Sequence, residues 1–326
     1  VMLALIGQAC TFTLFKNPFE TTPAAQPPVE IIATGTPQPV AQKNFIVTLP
    51  EPLQANESLT LIVMDEVTGL TLNPTEFPMS ARDSLTYTAT LPLPYNSVVK
   101  YRYARRGASV TMEDTTLGSA IRYRMHYVSV PSDVQDIVSD WGDRSYSRPT
   151  GIILGQVYNA DTGAPLPNML VTAGGIQHIT DSLGRFELSG LPIGTHNLLA
   201  YSLDGMYKPF EQGAAVGDGQ ITIVDLRVHP VKLVNVTFIV SVPSVTVPGV
   251  PVRIAGNLLQ LGNTFADLQG GVSTSTDRMP ILSLQGDGRY AMTIGLPAGT
   301  HIQYKYTLGD GFWNAERGED GRFNAR

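Results

Sequence analysis

The chain has 326 residues, more than one β-sandwich ordinarily uses, so its length predicts two or three separate cores. Charged residues make up only 15% beside 31 Gly and 24 Pro, a balance that suits short strands joined by tight turns and argues against long periodic helices. The net charge of −6 is spread without a Lys/Arg block, which leaves no surface built to neutralise phosphates and excludes nucleic acid as an expected partner.

Residues 1–16 read as a signal or membrane anchor. The first fifteen carry no charge before Lys16, yet the run is too short to span a bilayer. The chain opens on Val1, so further apolar residues are expected upstream. Two forms of anchor stay open. Ala9-Cys10 resembles the end of a lipoprotein signal, with Cys10 as the lipidated residue and Gly7 departing from the usual Leu. Alternatively, the segment stays attached as a transmembrane anchor. Both place Lys16 onward outside the cytoplasm, with the membrane as a partner. Cys10 is the single cysteine, so no intramolecular disulfide can form and each core must hold by apolar packing.

Residues 17–43 form a Pro-rich linker carrying Pro23, Pro27, Pro28, Pro37 and Pro39, an extended spacer rather than a helix or central strand. A first sandwich is expected over 44–130, from short alternating runs such as Phe45-Ile46-Val47-Thr48-Leu49 and Tyr87-Thr88-Ala89-Thr90-Leu91. Residues 131–150 are expected to be a helical or extended connector, because Val134, Ile137, Val138 and Trp141 have the spacing of one helical face.

The second unit, 151–230, contains Gly155-Gln156-Val157-Tyr158-Asn159-Ala160-Asp161-Thr162-Gly163, Thr180-Asp181-Ser182-Leu183-Gly184-Arg185-Phe186 and Leu191-Pro192-Ile193-Gly194-Thr195-His196. These turns put Asp and Gly between apolar runs, where Gly accepts the positive φ that a tight turn demands. In that order they resemble a carboxypeptidase regulatory-like, transthyretin-related domain, and the resemblance implies a non-catalytic sandwich.

The third unit, 231–326, repeats the first. Tyr87, Leu93, Pro94, Tyr101 and Tyr103 match Tyr290, Leu296, Pro297, Tyr304 and Tyr306 at one constant offset (290 − 87 = 203 and 306 − 103 = 203), which predicts a duplication. Val252-Arg253-Ile254-Ala255-Gly256-Asn257, Leu296-Pro297-Ala298-Gly299-Thr300 and Tyr304-Lys305-Tyr306 fall in an order similar to the starch-binding type of carbohydrate-binding domain, shared more weakly by the first unit. That resemblance implies a polysaccharide site using Lys305 and Trp313. Thr264 stands where the first stacking tryptophan belongs, with Phe265 as its substitute. The alternative reading has Trp313 merely covering a sandwich edge. Aligned on the repeat, the third unit stops before its last strand. Either the natural chain continues, or another molecule supplies the strand; in the sharper version the segment from Val29 to Ala33 of one subunit fills the edge of the next and builds a filament.

No catalytic constellation emerges. His126, His178, His196, His229 and His301 stand singly, without metal-ligand spacing, so neither metal nor cofactor is expected. Glu316, Glu319 and Asp320 lack a calcium-loop pattern and read as a solvated turn. Arg102, Arg105, Arg106, Arg122 and Arg124 could dock an acidic surface or anionic lipid, although cross-strand pairing with Glu113 and Asp114 is the simpler reading. The whole therefore predicts an all-β chain of three tandem immunoglobulin-like or prealbumin-like sandwiches, a non-enzymatic, membrane-anchored surface scaffold or binding protein. Polysaccharide binding and self-association by strand addition are its alternatives.

Overall fold

The computed structural model describes residues 39–64, 74–130, 132–262, 278–309 and 314–317. They are almost entirely β, as the composition predicts. The anchor with Cys10 and nearly all of the linker lie outside these residues.

The first sandwich contains β1 (Val40–Thr48), β2 (Ser58–Met64), β3 (Thr75–Pro78), β4 (Ser80–Ala81), β5 (Thr86–Pro94), β6 (Val98–Arg106), β7 (Val110–Asp114), β8 (Arg124–Tyr127), β9 (Asp133–Ile137) and β10 (Asp140–Trp141). One sheet runs β4-β5-β1-β9; the other runs β10-β7-β6-β2-β3, with β8 also on β6. Alternation sends Phe45, Val47, Leu59, Leu61, Leu91, Tyr101 and Tyr103 into one shared core.

Two boundaries move. β1 begins at Val40, so the last residues of the expected linker are already strand. The stretch expected to be a helical or extended connector takes the extended form: it is β9, lying parallel to β1, followed by β10 against β7. Val134, Val138 and Trp141 enter the first core. Apolar spacing of three and four fits a helix, but here a parallel neighbour and β-branched residues decide for strand.

The second sandwich contains β11 (Thr150–Asn159), β12 (Met169–Ala173), β13 (Ile176–Ile179), β14 (Arg185–Pro192), β15 (Gly194–Ser202), β16 (Phe210–Val216) and β17 (Ile221–Val228). Its sheets run β14-β11-β17 and β13-β12-β15-β16. The predicted turns form as read. The Asp181 carboxylate accepts the backbone N–H groups of Leu183 at 2.9 Å and Arg185 at 2.8 Å, and Gly184 turns at φ 73°. Those bonds, that of Arg185 foremost, hold the Asp181 carboxyl below its ordinary range. Gly155 lets β11, β14 and β17 approach one another: a Cβ there would lie 2.5 Å from the carbonyl oxygen of Val224 and would strike the Phe186 ring. Gly155→Ala is expected to cost roughly 1–3 kcal/mol through overpacking, read as a lower denaturant midpoint at unchanged slope.

The third sandwich contains β18 (Leu233–Val240), β19 (Val252–Gly256), β20 (Ser283–Leu284), β21 (Tyr290–Pro297) and β22 (Tyr304–Leu308), with a 3-10 turn at Leu259–Leu261. Its described sheets are β18-β21-β20 and β19-β22. The duplication is visible in register. Val40 faces Pro94 and Phe45 faces Ala89 in the first sandwich; Leu233 faces Pro297 and Phe238 faces Met292 in the third. Edge-to-face rings repeat too. Phe45–Tyr101 and Tyr101–Tyr103 centroids are 5.0 and 5.9 Å apart, and Phe238–Tyr304 and Tyr304–Tyr306 centroids 5.1 and 5.7 Å.

The sandwiches do not stand free of each other. The outer faces of β2, β6 and β8 present Ile62, Met64, Ala104, Met125 and Tyr127 to Leu170, Leu199 and Tyr201 on the outer faces of β12 and β15, with Tyr123 beside them, as one buried cluster. Strands β8 and β12 are consequently buried at every residue. That additional core was not expected from the sequence, which predicted separate cores joined end to end.

Candidate functional site

Arginines that looked like a docking patch are largely consumed inside the first sandwich. Arg124 donates Nη2 to Glu113 Oε2 at 2.7 Å and to the carbonyl of Ile137 at 2.8 Å, and Nη1 to Asp136 Oδ1 at 3.1 Å. The hydroxyls of Tyr101 and Tyr103 each donate to Asp136 Oδ2 at 2.8 Å, and the Tyr103 backbone N–H donates to Glu113 Oε1 at 2.9 Å. Burial opposes charge on Arg124, but Glu113 and Asp136 outweigh it and keep the guanidinium protonated. Burial pushes both tyrosine hydroxyls well up, with the Asp136 charge adding to it. Arg105 pairs with Glu57 and Asp143, and Arg106 with Glu76. Pairing with Glu113 is therefore realised by Arg124, while the other two choose partners that spacing alone did not indicate. This network joins β6, β7, β8 and β9; its members lack an open face for substrate, and its chemistry is structural.

Part of the network repeats. The Tyr306 backbone N–H donates to Glu316 Oε1 at 3.1 Å, the counterpart of the bond from Tyr103 to Glu113 and at the same sequence offset. Glu316 is thus half-buried and tied to β22. Glu319 and Asp320 lie outside the described residues.

The expected sugar contacts are only partly described. Lys305 sits on β22 with 2% of its surface exposed, between half-buried Tyr304 and buried Tyr306, so the side chain offers almost nothing to solvent. Thr264, Phe265 and Trp313 lie outside the described residues.

Two of the cavities where sandwiches meet gather polar groups. One, of about 260 Å³, lies at the junction of all three, lined among others by Asn96, Tyr127, Tyr201, Lys208, Asn257 and His301. Around it the His301 backbone N–H donates to the carbonyl of Asn96 at 3.3 Å, the Ala298 N–H donates to Lys232 at 2.8 Å, and Gln260 donates to Asp204. The other, of about 220 Å³, lies between the first and second sandwiches and gathers His126, Asp133, His196 and Glu211. Of its groups, Glu211 reaches across the interface. Glu211 accepts the Tyr127 N–H at 2.7 Å and the Asn197 amide at 3.1 Å. His126 Nδ1 lies 3.0 Å from the same carboxylate but off the hydrogen-bonding direction. His196 Nε2 meets the Pro192 carbonyl at 2.7 Å, and burial holds its pKa down. Sequence reading missed this grouping because its members come from strands far apart in the chain. The unbroken apolar run at the start of β12, Met169-Leu170-Val171, was the available signal that a second sheet covers that face.

No family model matches the sequence, and no curated protein matches it. Among solved structures the chain is similar to the Bacillus anthracis TIE protein, at 13% identity over 83% of this chain and 45% of that one, with a TM-score of 0.22. It is similar also to a streptococcal ancillary pilin, at 12% identity over 82% and 89% of the two chains and a TM-score of 0.29. A Hypocrea jecorina glucoamylase of glycoside hydrolase family 15 aligns at 15% identity over 32% of this chain and 17% of its own, with a TM-score of 0.24. The chain thus spans less than half the length of the first and a sixth of the last.

Proposed function

We propose that this chain is a non-catalytic scaffold of the cell surface, held at a membrane through residues 1–16, spaced by the Pro-rich linker, and presenting a block of β-sandwiches outward. The observation that carries this reading is the buried cluster joining β2, β6 and β8 to β12 and β15, which removes hinge freedom between the first two sandwiches. Further contacts run from the second sandwich to the third: a Cβ on Gly205 would meet the Pro297 ring at 2.5 Å. Ionisable groups that a catalyst would expose are largely spent on pairing inside the first sandwich, as with Arg124, Glu113 and Asp136. Load or display is served by such stiffness, because a ligand met by a rigid surface costs less ordering entropy.

Calorimetry tests it. The first and second sandwiches are expected to melt in one transition, and Leu199→Asp, which buries a charge in their interface, should split that transition in two. Two independent transitions in the unaltered chain would refute the rigid scaffold.

A further inference from the structure

The cavity at the meeting of the three sandwiches takes a wall from each, and every wall is tied down by its own bonds. Asn96 sits on the turn between β5 and β6 at φ 59°, its backbone N–H donating to the carbonyl of Val128 at 2.8 Å. Lys208 lies between β15 and β16, where its backbone N–H donates to the carbonyl of His229 at 2.9 Å. His301 precedes β22. There Asn257 accepts the Gln303 N–H on Oδ1 at 2.9 Å and donates Nδ2 to the His301 carbonyl at 3.4 Å. A recess fixed in this way needs little ordering when a ligand arrives.

Charge on the lining is one-sided. Among the described residues it holds one lysine, one histidine and no carboxylate. Lys208 is exposed at its rim and pairs with no described carboxylate. Asp204, on the same loop, is taken by the Ser202 hydroxyl and the Met206 N–H. Burial holds the His301 pKa down, so its ring is uncharged at neutral pH and the lining carries a single positive charge. Such a recess attracts one negative charge.

Two further polar groups on the lining are unspent. His301 Nδ1 is buried with no hydrogen-bond partner among the protein atoms, a state that a folded protein seldom tolerates without a use for it. Asn96 gives its Oδ1 to the Tyr127 hydroxyl at 3.1 Å, which leaves its amide Nδ2 as a donor. Tyr127, Tyr201 and Tyr207 add aromatic surface, against which the C–H face of a ring packs. The volume of about 260 Å³ lies below the roughly 300–1,000 Å³ of pockets for drug-sized ligands, so it suits a single substituted ring rather than a chain.

We propose that this cavity binds a hexuronate, a six-membered sugar ring carrying one carboxylate. Lys208 Nζ takes the carboxylate, Asn96 Nδ2 and His301 Nδ1 take ring hydroxyls, and the tyrosines flank the ring. A neutral sugar would leave the ammonium without its anion, and an aromatic acid would leave the amide and the imidazole unpaired. Lys305 has no part in this lining. The inference goes beyond the scaffold reading and does not rest on it, because its test reads ligand uptake and not rigidity.

Ligand-observed NMR titration of the full chain with glucuronate is expected to give a dissociation constant in the millimolar range, with glucose and benzoate each at least about tenfold weaker. Lys208→Gln, at an exposed position, should weaken glucuronate binding about tenfold. Asn96→Gly, which deletes the amide and keeps the left-handed turn, should weaken it several-fold. Arg82→Gln, which removes one positive charge from an exposed turn of the first sandwich, should leave it unchanged. Absence of binding at about 50 mM glucuronate, equal affinity for glucose or benzoate, or indifference to both Lys208→Gln and Asn96→Gly overturns the proposal.

Discussion

Arg124→Ala is expected to destabilise the first sandwich by about 3–5 kcal/mol, among the largest single losses available to this chain. The substitution leaves Glu113 and Asp136 facing each other beneath the sheet without their shared cation. Burial then raises the Glu113 carboxyl with nothing to oppose it but the Tyr103 backbone N–H. In the intact protein the guanidinium fork spans β7 and β9, so the loss also loosens the two strands that close the sandwich. Replacing Arg124 by Met and Glu113 by Leu together should recover much of the stability, because uncharged side chains of similar volume carry no desolvation penalty. Urea melts of the single and double variants check this. A single variant within 1 kcal/mol of the parent would show that water reaches the network.

Trp141→Ala is expected to cost about 3–5 kcal/mol as well. Trp141 is fully buried in the first core, and the Arg105 guanidinium stands 5.4 Å from its ring centroid. Truncation removes the largest side chain in that core and leaves a cavity that neighbouring strands, held by β-ladders, cannot collapse to fill. The same substitution in an unpacked connector would change stability by less than 0.5 kcal/mol, so the midpoint of chemical unfolding tells the two roles apart.

That second variant marks the place where the sequence and the structure part. Turn chemistry made the second sandwich legible: Asp161-Thr162-Gly163 and Asp181-Ser182-Leu183-Gly184 form the turns their residue types demand. The tyrosine pairs of the duplication were legible at a fixed offset, because edge-to-face packing needs the same rings at the same places. Residues 133–141 stay open between helix and extended chain in the sequence, since an apolar residue at every third or fourth place fits either a helical stripe or a strand followed by a short return. Only a parallel partner, 89 residues away from Asp133 at Asn44, decides between them. Contacts between sandwiches escaped for a related reason: Leu170 and Leu199 look like ordinary outward residues until another sheet is laid on them. Lys305 illustrates the limit from the other side, its charge suggesting exposure while β22 places it inside.

The layer shared by the first two sandwiches also determines how this protein can be divided. Cutting near Thr150 would preserve every strand of the second sandwich, yet strip the cover from Leu170, Leu199 and Tyr201 and strand the Glu211 carboxylate that receives the Tyr127 amide. A fragment of that kind carries a wet apolar sheet and invites aggregation. The smallest piece that keeps this shared layer covered runs from β1 through β17, so what looks modular along the chain is expected to unfold as one body.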